Sequence, residues 1–242
     1  MFRKTIAEKV EANKDYFRFR GHEVRRIEAF SDAVFAFAVT LLIVSLEVPK
    51  SFEELMTTMR GFFAFGVSFA LLMLVWYEQN IFFRRYGLDD LKTIVLNCIL
   101  IFLVLFYVYP LKFLFTLIFS SQIYLSQESP LAIKQNDIPH LMIIYALGYI
   151  LIYLMFILLY LHALKKAKEI ELTEIEKFET KTKLFKNYIL VAIGFLSILV
   201  SLIVSPAQAG IAGLVYVLIG PALSFFYSYR ARRRRKLFIS TN

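Results

Sequence analysis

RRIEAFSDAVFAFAVTLLIVSLEVP, Arg25 to Pro49, is the stretch on which the fold turns. From Ile27 to Val48 it is apolar and long enough to cross a bilayer core as a helix. Yet it opens on two arginines and Glu28, carries Ser31 and Asp32 at its mouth, and holds Thr40 in its middle. Ionisable groups at or inside a membrane are costly, so their presence there points to function.

The rest of the chain agrees with a membrane setting. Of 242 residues, 59% are hydrophobic and only 19% charged, against about 45–50% apolar in soluble domains. Mean hydropathy is +0.62. Five more apolar runs follow the first at about 59–83, 91–119, 141–164, 184–204 and 210–229. The third is long enough to tilt or to break at Pro110, and the sixth is interrupted by Pro221. The short SPAQAG turn makes the fifth and sixth a helical hairpin. Backbone in lipid must satisfy its own hydrogen bonds, so these runs read as helices. The expected fold is all-α, a six-helix polytopic membrane protein. It comprises one six-helix membrane unit over 1–242, with an N-terminal arm at 1–26 and a basic tail at 230–242.

Lysine and arginine placement sets orientation. The arm to Arg26 holds eight, the loop between helices two and three holds three, the loop between four and five holds seven, and the tail holds six. Lys50, Arg60, Lys112 and Lys134 are left for the other side. An even number of crossings with both termini cytoplasmic fits this bias. The tail RARRRRK is then a positive-inside anchor rather than a nucleic-acid patch, and no nucleic-acid partner is expected. The segment from Leu164 to Lys186 reads as a cytoplasmic helical extension between helices four and five. The first twenty-six residues carry no early apolar core, so no cleavable signal is expected.

Several chemistries lack their residues. Cys98 is the single cysteine and cannot close an internal disulfide. His22, His140 and His162 are not at metal-ligand spacing, and His162 reads as interfacial. HExxH, GxSxG, a Walker lysine loop and the TVGYG carbonyl filter are all missing. No enzyme and no cofactor are expected.

The polar residues that remain cluster. Arg26, Glu28, Ser31 and Asp32 sit at the cytoplasmic end of the first helix. Asp32 can accept from Arg26 or from a neighbouring helix, or Ser31 and Asp32 can simply cap the helix. Trp76 and Asn97 are the internal donors on helices two and three, with Glu78 and Asn80 near the end of helix two. A hydrogen-bonded network shared by the first three helices is the expectation. Ala33, Phe37, Thr40, Val44 and Glu47 follow one helical stripe. That stripe is compatible with a packing seam, or with a pore ending in an acidic outer vestibule at Glu47.

Arg26-x-x-x-Phe30-Ser31-Asp32 resembles the RxxxFSD signature of the lysosomal potassium channel family, transmembrane protein 175, and its bacterial and archaeal relatives. FSDAVFAFAVTLLIVSLEVP, WYEQNIFFRRYG and NCILIFLVLFYVYPLKFL resemble the family's first three helices; helices four to six match in number and hydropathy only. The resemblance implies a prokaryotic, single-repeat homotetramer in the cell membrane, with the first helix of each subunit lining a central pore. It implies passive, potassium-preferring conduction through an apolar constriction formed by Phe37, Leu41 and Val44. Thr40 adds a hydroxyl ring past which potassium travels. The resemblance also implies that Arg26, Phe30, Ser31, Asp32, Trp76 and Asn97 form the network that holds the helix at the pore axis. Phe37 stands where the family usually has isoleucine or leucine, and Gln79-Asn80 where relatives often carry histidine. The competing readings are a secondary transporter, disfavoured by a midplane nearly empty of charge, and a membrane scaffold, which would carry no flux.

Overall fold

The computed structural model describes residues 17–21, 23–44, 51–119 and 134–238. Within them the chain is helical and contains no strand. α1 is Arg26–Val44, α2 Phe52–Tyr86, α3 Leu91–Phe119, α4 Ile138–Lys165 and α5 Glu174–Ile203. A short α6, Ile211–Leu214, runs through a 3-10 turn at Val215–Leu218 into α7, Ile219–Phe238. Five segments among the described residues are long and apolar enough to cross a membrane: Phe65–Tyr86, Leu91–Leu114, Gln135–Lys165, Glu174–Ile203 and Ile211–Arg234. The described part of α1 adds 19 residues, about 28 Å at 1.5 Å per residue. The protein is a multi-pass membrane protein.

Three expectations need adjusting. α3 passes through Pro110 as one helix. The break in the sixth run falls at Val215–Leu218, and Pro221 lies inside the first turn of α7. A proline there has no N–H to give to Val217, so the preceding turn tightens to 3-10 geometry while the helix beyond it continues. The charged segment after α4 is helical only from Glu174. Lys166 to Leu172 turn, with Glu171 at φ 51°. Thr173 then starts α5 with a reciprocal cap, accepting from the Glu176 N–H while the Glu176 carboxylate takes the Thr173 N–H.

α3 shows why lipid or another subunit must meet the bundle. Leu100, Val104, Val108 and Leu111 are buried, while Val95, Ile99, Phe102, Phe106 and Tyr109 are exposed. Both sets are apolar and repeat every three or four residues, so each makes one helical face. A continuous exposed stripe of this kind is foreign to the surface of a soluble monomer.

The end of the bundle where Arg20, Arg84 and Glu176 meet is tied by ions and close backbone contacts. Arg20 and Gly21 both donate their N–H to the Arg84 carbonyl. Arg20 also grips Glu176 through two nitrogens at 2.7 and 3.0 Å, and the Arg18 N–H reaches the same carboxylate at 2.7 Å. Gly87, at φ +56°, closes the end of α2 against the Arg20 backbone. In the basic tail, Arg230 is buried and donates to the Thr182 hydroxyl and the Phe178 carbonyl, its guanidinium 3.8 Å above the Phe178 ring. Arg234 pairs with Glu179 at 3.1 Å. Part of the tail is therefore fastened to α5.

Candidate ion-conducting helix and its anchorage

α1 has two opposed faces. Ser31, Phe35, Ala38 and Leu42 are buried, none more than 2% exposed. Phe30, Ala33, Phe37 and Thr40 are exposed, Phe37 by 57%. The steps of four, three, four and of three, four, three are those of two stripes on opposite sides of one helix. The buried stripe packs into the core with residues of α2 and α3. Leu41 is half-buried and also packs there, at the flank of the exposed stripe. The Val44 side chain and Glu47 lie outside what the structure describes.

Hydrogen bonds fix which face points inward. The Trp76 indole N–H donates to Asp32 Oδ1 at 2.7 Å. Gln79 Nε2 donates to Asn97 Oδ1 at 2.8 Å, and Asn97 Nδ2 donates to Ser31 Oγ at 2.8 Å. Ser31 passes its own proton to the Ile27 carbonyl at 2.7 Å. Asn97 and Ser31 are fully buried, so each link satisfies a polar group that would otherwise be stranded. Toward the other end of α1, Lys112 Nζ donates to the Leu42 carbonyl at 2.6 Å. A cation at the last carbonyls of a helix is also favoured by its dipole.

Thr40 stands on the exposed stripe with its hydroxyl proton committed to its own helix, the Ala36 and Phe37 carbonyls both lying at 2.9 Å. A hydroxyl that donates backwards in this way keeps its oxygen lone pairs free. It can therefore act as an acceptor toward a cation.

Ser31, Asp32, Trp76, Gln79 and Asn97 come together where α1, α2 and α3 meet. Arg26 and Phe30 stand outside this network. Both are exposed, and among the described residues Arg26 meets no hydrogen-bond or ion-pair partner. The reason is geometric. Arg26 and Asp32 are six residues apart, about 9 Å along the axis and about a third of a turn around it. Asp32 accepts from α2 instead. Arg26 lines an open cavity of about 630 Å³ with Arg25, Asp89 and Ile94.

Sequence reasoning missed a second group of contacts. Glu78 accepts from the Tyr160 hydroxyl at 2.7 Å and pairs with Lys186 at 2.9 Å and Lys183 at 3.5 Å. His162 is buried, its Nε2 within 3.0 Å of both Asp90 oxygens, and Thr93 donates to the same carboxylate. Partial burial pushes the Asp90 carboxyl up, but the hydrogen bonds from Thr93 and His162 outweigh it and hold the group below its ordinary range. Among the described residues no cluster of three or more His, Cys, Asp or Glu is placed to hold a metal ion.

Known proteins resemble this chain in sequence and in fold. The profile of the family described as endosomal/lysosomal potassium channel TMEM175 matches residues 26–110, which hold α1, α2 and α3 to Pro110. A protein of Marivirga tractuosa named potassium channel is 37% identical over 246 residues, covering 97% of this chain and 98% of its own. A potassium channel of Chamaesiphon minutus is 33% identical over 96 residues, 36% of this chain and 47% of its own. Among solved structures, a variant of the potassium channel MtTMEM175 in complex with a nanobody–MBP fusion superposes with a TM-score of 0.77. It is 35% identical and covers 90% of this chain and 98% of its own. These relatives are channels rather than enzymes. With such identity over nearly the whole of both chains, the protein belongs to the TMEM175 potassium channel family.

Proposed function

We propose that the protein is a potassium-preferring cation channel, a homotetramer in which α1 of each subunit lines a central pore. Membership in a family of potassium channels supports the activity. The two-faced α1 supports the pore assignment, and that single feature carries it. One face is pinned to α2 and α3 by Ser31, Asp32, Trp76, Gln79 and Asn97, which leaves Phe37 and Thr40 facing away from their own subunit.

Four copies of that stripe around an axis form an apolar neck of Phe37, Leu41 and Val44, with a ring of Thr40 hydroxyls. An ion entering the neck sheds part of its hydration shell. Potassium, more weakly hydrated than sodium, sheds it at lower cost, and the Thr40 oxygens replace some of the lost coordination. Glu47 forms the outer vestibule and concentrates cations there. Conduction is passive and needs no cofactor. Both termini are cytoplasmic and the protein resides in the cell membrane of a prokaryote, in keeping with the lysine and arginine bias.

Thiol labelling tests the pore assignment. Thr40→Cys and Ala38→Cys are made in a Cys98→Ala background and reconstituted for potassium flux. A charged thiol reagent is expected to block the Thr40 variant and to spare the Ala38 variant. Equal block, or block at Ala38 alone, contradicts the assignment.

A further inference from the structure

α2 touches the conducting helix with one side and the outer helices with the other, and the changeover falls within four residues. Trp76 and Gln79 reach toward α1 and α3 through Asp32 and Asn97. Glu78, between them in sequence, faces the opposite way and is held by three groups. Tyr160 of α4 donates to Oε1, while Lys186 and Lys183 of α5 meet Oε2. Glu78 and Lys186 are each less than 10% exposed. Two turns further along, the Tyr86 hydroxyl donates to Thr180 of α5 at 2.8 Å, both residues fully buried.

A carboxylate this deep has no water to turn to, so its position follows the groups that neutralise it. A shift of Lys186 or Tyr160 must move Glu78 or strand it. Because Glu78 shares a turn of helix with Trp76 and Gln79, any such movement reaches the donors that hold Asp32 and Asn97. The α4–α5 pair, through this carboxylate, is mechanically joined to α1.

We propose that Glu78 is a positioning residue for conduction: held by Tyr160, Lys183 and Lys186, it sets where Trp76 and Gln79 hold α1, and so how often the pore is open. This rests on the channel reading above. α5 and its basic contacts then become the place from which forces outside the pore bias it, with α2 as the rigid element that carries the bias.

Trp76 is the only tryptophan in the chain, so its fluorescence reports the Trp76–Asp32 contact without reference to ion flow. The full chain is reconstituted as wild type, Glu78→Gln, Glu78→Asp and Asp32→Asn, and both Trp76 quenching by acrylamide and single-channel open probability are read. Glu78→Gln is expected to raise quenching as Asp32→Asn does and to lower open probability about tenfold. Glu78→Asp restores most of both, and Glu78→Gln adds little on top of Asp32→Asn.

Glu78→Gln leaves two lysines facing a neutral side chain, so the triple variant E78Q/K183M/K186M serves where the single one fails to assemble. It removes the link and the buried charges together. Wild-type quenching and open probability in an assembled variant overturn the proposal. Failure of both variants to assemble assigns the cluster a folding role only and also overturns it. A wild type that carries no potassium current refutes the channel reading and the gating role with it, whereas the fluorescence still shows whether Glu78 positions Trp76.

Discussion

Trp76 and Asp32, 44 residues apart in the chain, meet through a 2.7 Å hydrogen bond from the indole N–H to the carboxylate. It joins α2 to the first turns of α1. With Gln79, Asn97 and Ser31 beside it, it determines which face of α1 is left uncovered.

Trp76→Phe keeps an aromatic ring, though a smaller one, and removes the donor. The site is partly exposed, so the lost bond is worth about 1 kcal/mol. The thermal midpoint of the purified protein is expected to fall by about 2–4 °C. An unchanged midpoint in a scanning unfolding experiment means the contact does not form.

Asn97 lies deeper and carries more. Asn97→Leu strands the Gln79 amide and removes the Ser31 hydroxyl's neighbour, at about 1–3 kcal/mol for each buried polar group left unsatisfied. Ser31→Ala removes the acceptor of the buried Asn97 amide and strands that one group, at about 1–3 kcal/mol. Thermal unfolding should rank Asn97→Leu well below Ser31→Ala. The reverse order contradicts a network centred on Asn97.

Gly87 sits at φ +56°, and a Cβ there would stand 3.1 Å from both the carbonyl carbon and oxygen of Arg20. Left-handed backbone costs a non-glycine residue about 1 kcal/mol. Gly87→Ala should therefore loosen the segment at Arg18 to Gly21, which docks on the Arg84 carbonyl. Trypsin cleavage after Arg18 and Arg20 is expected to speed up about fivefold. Equal rates refute the docking.

Asp90 gives the protein an acid-sensitive joint between α3 and α4. Its folded carboxyl titrates below the unfolded one, which lies at about 3.9. The pair with His162 and Thr93 thus contributes fully above that value, and the contribution is lost as pH falls through the folded titration. Thermal stability measured from pH 6 down to 3 should drop less steeply for Asp90→Asn than for wild type. Parallel curves contradict it.

The sequence made the membrane helices legible because lipid imposes their length and apolarity. α3 matches its expected bounds, Leu91 to Phe119. The stripe of Phe37 and Thr40 was legible because helical spacing alone assigns residues to faces. Ser31, Asp32, Trp76 and Asn97 stood out as polar groups in apolar runs. The partners of Asp32 were not legible, because two candidate donors were available and only the crossing of α1 and α2 chooses Trp76. Glu78, Lys183 and Lys186 were hidden for a different reason. At the end of a membrane helix, charged residues are expected in any case, and nothing in their spacing distinguishes a buried cluster from a solvated one. His162 and Asp90, 72 residues apart, share no local pattern at all.

The central claim is that ions pass along the exposed face of α1 and that the neck there prefers potassium. A bi-ionic recording tests it most directly, with potassium on one side of a bilayer and sodium on the other, for wild type and Phe37→Ala. A wild-type reversal potential that favours potassium, with permeation altered in Phe37→Ala, is the predicted result. A Phe37→Ala protein that conducts and selects as wild type does, or no current from inserted wild-type protein, contradicts the account.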